Sequence, residues 1–144
     1  MRRLLPLVAI VFLSATGLVP IASAEAHATL RIVKLRVLQA DGVTPAKLPL
    51  RRDRGYQYEV EYLVGGSGIL RVTRAATVVS PEGVVAIVRP AATISDPGRY
   101  RVSSRLRVGL DDPPGLYTLR YTIVARAEDG HAVKRRRELR IRFR

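Results

Sequence analysis

Apolar and polar residues alternate one for one along nearly all of residues 27–144, and no window there carries a helical stripe. Tyr56, Tyr58, Val60, Tyr62 and Val64 interleave with Gln57, Glu59 and Glu61, while Tyr100, Val102, Leu106 and Val108 interleave with Arg99, Arg101, Arg105 and Arg107. A period of two sends alternate side chains to opposite faces of a strand, so each segment has one face to bury and one to wet. Thr29 to Leu38, Leu70 to Val79, Val84 to Arg89, Leu116 to Arg126 and Ala132 to Phe143 read the same way, which makes seven strands. Turn residues part them at Asp41-Gly42, Gly65 to Gly68 (read as a hairpin turn), Pro81 to Gly83, Asp96 to Gly98, Asp111 to Gly115 and Asp129-Gly130. The pattern predicts an all-β, seven-stranded, antiparallel immunoglobulin-like sandwich.

Two details bear on register. Tyr117, directly after Pro113-Pro114-Gly115, stands where such folds place a tyrosine corner. In the last strand Arg135 and Arg137 share the parity of Leu139, Ile141 and Phe143. Either a bulge resets that strand, or Lys134 to Arg137 runs past the core.

Residues 1–26 break the pattern. Arg2 and Arg3 precede an apolar stretch from Leu4 to Leu13, and small residues follow ahead of two candidate cut sites. That is the layout of a cleavable secretory signal, with no transmembrane segment retained. Cleavage after Ala24 leaves Glu25 first, and cleavage after Ala26 leaves His27 first. The domain expected to be exported, residues 27–144, then lies in a periplasm or in an extracellular or cell-wall compartment. The chain has no cysteine, which excludes both disulfides and a lipid anchor on cysteine, so stability must come from burial, strand pairing or a ligand.

Familiar catalytic constellations are missing: there is no cysteine nucleophile, no Gly-x-Ser-x-Gly, no phosphate-binding glycine loop and no His-Glu-x-x-His. Glu59 and Glu61 stand about 6.6 Å apart along one strand face, and without a tryptophan or an evident sugar cleft they read as a solvated face. Asp111-Asp112 reads as a turn. The chain is expected not to be an enzyme. Its formal net charge is +13, which attracts polyanions. Arg99/Arg101, Arg105/Arg107 and Arg136/Arg140/Arg142 could track an anionic envelope polymer, while tyrosines on the inward parity argue against nucleic-acid stacking. The plainer reading of these arginines is a soluble outer face with blunted edges.

Only two histidines occur, His27 and His131. If successive strands alternate direction, the start of the first strand and the turn after the sixth lie at one end of the sandwich. An N-terminal His27 offers an amine and an imidazole; His131 and Asp129 add a second imidazole and a carboxylate. Three nitrogens and one oxygen suit the tetragonal preference of Cu(II).

His27-Ala28-Thr29-Leu30 after an Ala-x-Ala cut, with Pro113-Pro114-Gly115-Leu116-Tyr117-Thr118-Leu119 leading to Asp129-Gly130-His131, resembles the CopC-type periplasmic copper-resistance proteins. The resemblance implies an immunoglobulin-like domain that carries Cu(II) on His27, Asp129 and His131. Ala132 stands where that family has proline, and Met1 is the only methionine, so the methionine-rich Cu(I) site of some members is absent. The expectation is therefore an exported copper carrier, with a copper ion and another envelope or membrane protein as partners. The alternative is a basic module that binds a protein or an anionic polymer. A histidine-brace copper enzyme, similar to lytic polysaccharide monooxygenases, would need a broader substrate surface than a domain this short provides.

Overall fold

The computed structural model describes residues 27–144, the side chains of Ile87, Val88 and Arg89 aside. The expected signal peptide lies outside these residues. Seven strands follow in order: β1 (Thr29–Gln39), β2 (Gly55–Gly65), β3 (Leu70–Val79), β4 (Val85–Ser95), β5 (Gly98–Arg107), β6 (Gly115–Arg126) and β7 (Ala132–Phe143). They form two antiparallel sheets, one ordered β1-β2-β5 and the other β4-β3-β6-β7. This is an immunoglobulin-like β-sandwich. The inward parity of each sheet supplies its core: Val60, Leu70, Val72, Leu119, Ile123 and Ile141 are all at most 1% exposed. Each such side chain contributes about 1.5–3 kcal/mol by leaving water.

The Gly65 to Gly68 turn is not a hairpin, because β2 and β3 belong to different sheets and the link crosses the end of the sandwich. Turn chemistry reverses the chain, but the second layer of the core decides which sheet the next strand joins. β4 runs past its expected end at Arg89. Two residues, Arg89 and Pro90, stand against Ala75 alone, so the ladder breaks there and resumes. Counting the two sides of that break separately gives eight strands. The position is an edge strand, where proline's missing N–H is tolerated.

Tyr117 makes its corner: the hydroxyl donates to the Pro113 carbonyl at 2.6 Å, and the ring packs edge-on against Phe143. Tyr117→Phe is expected to lower stability by about 1 kcal/mol and the melting temperature by about 4 °C, read by thermal denaturation. An unchanged melting temperature would mean the corner is decorative.

The question left by Arg135 and Arg137 resolves through β1. Pairing of β6 with β7 is unbroken, and both arginines are exposed beyond the core. The bulge sits instead in β1, where Leu30 and Ile32 face inward before it, and Leu35 and Val37 after it. Its spare carbonyls, those of Ile32 and Val33, accept hydrogen bonds from Arg137 Nη1, at 2.8 Å for Val33. This bond ties β7 to β1 and closes one flank of the sandwich. Among the described residues no comparable packing joins β4 to β5 on the other flank.

Candidate metal centre

Each histidine is placed by a turn that only certain residues can make. β1 enters the sheet with Ala28 buried and Thr29 opposite Gly65, so His27 lies just outside the first strand pair. Gly66 backs directly onto it: a Cβ there would stand 2.5 Å from the His27 carbonyl oxygen, and its φ of +137° is one that L side chains rarely adopt. Across the same end the β6–β7 hairpin turns at Gly130, whose φ is +88°. The Gly130 N–H donates to the Ala127 carbonyl at 3.0 Å, and the Ala127 N–H to the His131 carbonyl at 2.8 Å.

These two turns bring the histidines together. Their ring centres lie 5.3 Å apart at 69° between planes, and both residues are exposed. Two imidazoles bound at about 2.0 Å to one ion hold their ring centres about 4.4–6.2 Å apart, depending on the angle at the metal. The observed spacing of 5.3 Å falls within that range. Asp129 is used differently: its Oδ1 accepts the His131 N–H at 2.8 Å, which shapes the turn. Among the described residues no group of three His, Asp or Glu side chains is arranged to hold a metal.

The arginine faces are more neutralised than their sequence suggests. Glu59, read as solvated, is 5% exposed, lying beneath Arg36 at 2.9 Å and Arg101 at 3.9 Å. Glu61 pairs with Arg99 at 2.8 Å, and Glu138 with Arg120 at 2.9 Å and Arg136 at 3.7 Å. Cross-strand ladders of opposite charge are what stabilises such faces. Asp112 does form a turn, its Oδ2 accepting the Gly109 N–H at 2.7 Å. Sequence reasoning passed over Arg74, which shares the inward parity of Leu70, Val72, Ala76 and Val78; a charge inside an apolar alternation was the signal.

No family model and no curated protein matches the chain. Among solved structures, the C-terminal domain of Wzt superposes with a TM-score of 0.57 at 12% identity, covering 84% of this chain and 79% of that one. That likeness is one of fold. The ApaA protein of Bordetella pertussis aligns over 82% of this chain and 94% of its own at 11% identity, with a TM-score of 0.44.

Proposed function

We propose that this protein is an exported, non-enzymatic carrier of Cu(II), held between His27 and His131 at one end of the sandwich. The observation that carries the reading is the meeting of the only two histidines, brought from opposite ends of the sandwich sequence to a spacing one ion can bridge. The likeness of the His27-Ala28-Thr29-Leu30 start and the Asp129-Gly130-His131 turn to CopC-type proteins supports it from a separate direction. In this reading His131 supplies one imidazole. His27 supplies the other and, after cleavage behind Ala26, its amine. Asp129 positions His131 through the turn. Protons compete for all three nitrogens, so affinity falls in acid.

Titrating protein that begins at His27 with Cu(II) should give a one-to-one complex with a visible d–d band. His131→Ala should weaken it at least about tenfold, as loss of one nitrogen donor does. Equal binding by the variant removes the hairpin from the site. A terminus starting at Glu25 would instead bind through its amine, two backbone amides and the third-position imidazole, indifferent to His131.

A second reading, binding of an anionic envelope polymer, draws on Arg140 and Arg142, which make no ion pair among the described residues. Its signature is affinity that falls steeply with salt.

A further inference from the structure

The sandwich is closed along β1 and β7 but open along β4 and β5, and Arg74 sits inside the open flank. Arg74 is half-buried on the core-facing side of β3, opposite the fully buried Ile123 of β6. Small neighbours, Ala75, Ala76 and Ala91, leave a cavity of about 350 Å³ around it, with Tyr58, Tyr121, Ser103 and Ser104 completing the wall. No acidic residue lines that wall. Among the described residues Arg74 forms no ion pair, and its Nε is buried without a hydrogen-bond acceptor. A second cavity of about 470 Å³ shares Tyr58 and continues along the same flank past Leu106 to Tyr117.

An inward guanidinium with a buried donor unmet is less stable than a satisfied one, because the desolvated N–H has lost water and gained no acceptor. Replacing it by an apolar residue of like volume commonly stabilises a fold. The cost is offset when an oxyanion enters, because the guanidinium fork matches carboxylate and phosphate oxygens in a plane. The surroundings suit the same guest. Burial holds the Tyr58, Tyr62 and Tyr121 hydroxyls above the ordinary tyrosine range, against the pull of Arg74, so at neutral pH they carry protons to donate.

We infer that the flank between β4 and β5 is a binding site for a small ligand bearing a carboxylate or phosphate group, anchored on Arg74 with hydroxyl contacts from Tyr58, Tyr121 and Ser104, the serine that shares the inward parity of β5. The site is separate from the histidine end and does not rest on copper binding.

Sodium phosphate and sodium glucuronate, each compared with sodium chloride at equal ionic strength, test it through melting temperature and tyrosine fluorescence. The arm that acts identifies which oxyanion is preferred. Wild type should melt higher in at least one arm than in chloride, and Arg74→Leu should remain folded yet weaken binding at least about tenfold. Ala91→Trp, which fills the rim with Arg74 intact, should block the same response. Should wild type and Arg74→Leu gain equally, the anions are only screening the net charge of +13, and the inference fails. It fails also if Ala91→Trp binds as wild type does. If Arg74→Leu does not fold, Ala91→Trp decides alone.

Discussion

Phe143→Ala should cost about 3–5 kcal/mol, a large part of the stability of a domain this size, while leaving the proposed Cu(II) binding at the opposite end unchanged. Phe143 is 2% exposed and stands between the edges of two rings, Tyr56 at 6.3 Å and Tyr117 at 5.2 Å. The long β1–β2 connection also depends on this corner. Leu50 bridges to Phe143 in parallel, donating its N–H to the Arg142 carbonyl and accepting from the Arg144 N–H, both at 2.8 Å. Truncating the ring empties a site enclosed by the sheet, the connection and two aromatic neighbours, none of which can collapse inward without breaking its own pairing. Urea unfolding would read the loss as a lower midpoint at constant slope. A loss under about 1 kcal/mol would show that the corner repacks, contrary to the rigidity argued from these bonds.

Gly66→Ala is the second large effect, and it is aimed at the histidine end. The φ of +137° costs an alanine about 1–3 kcal/mol, and the added methyl would sit 2.5 Å from the His27 carbonyl oxygen, with the Ala28 Cα at 3.3 Å. Backbone cannot give way as a flexible side chain does, so the start of β1 must move outward. His27 moves with it. If the proposed Cu(II) site is formed, its affinity should drop at least about tenfold, since a shift of an ångström breaks shared coordination, while the β-sheet circular dichroism persists. Retained affinity alongside a normal melting temperature would show that His27 reaches the ion from a range of positions, and that the turn does not hold it.

The fold was legible because its physics is local: alternation marks which residues go inward, and turn residues mark where strands stop. Six of the seven strands have bounds within two residues of those read from the pattern. β4 was read as ending at Arg89, but it continues through Pro90 to Ser95, which an edge strand accepts. Sheet membership was harder. Nothing in Gly65 to Gly68 says whether the chain returns beside β2 or crosses to the other layer, since that choice belongs to the packing of all seven strands. The approach of His27 to His131 followed from alternating strand directions. The engagement of Asp129 in its own turn did not, because it depends on a side-chain rotation that sequence does not encode. Glu59 shows a related limit: its alternation correctly placed it on the outer face, and only the overlying Arg36 and Arg101 make that face dry there. Arg137 was read as a charge on an inward parity and Arg74, which carries the same signal, was passed over; each sits on one of the two flanks where the layers meet solvent.

β7 leaves the His131 turn and runs its 12 residues to Phe143, so the two tips of the molecule carry different things. By strand rise the histidines and the Leu50–Phe143 corner stand about 40 Å apart. At that separation a substitution at the Leu50–Phe143 corner and one at the histidine pair should act independently, so each tip can be altered with the other left as it is.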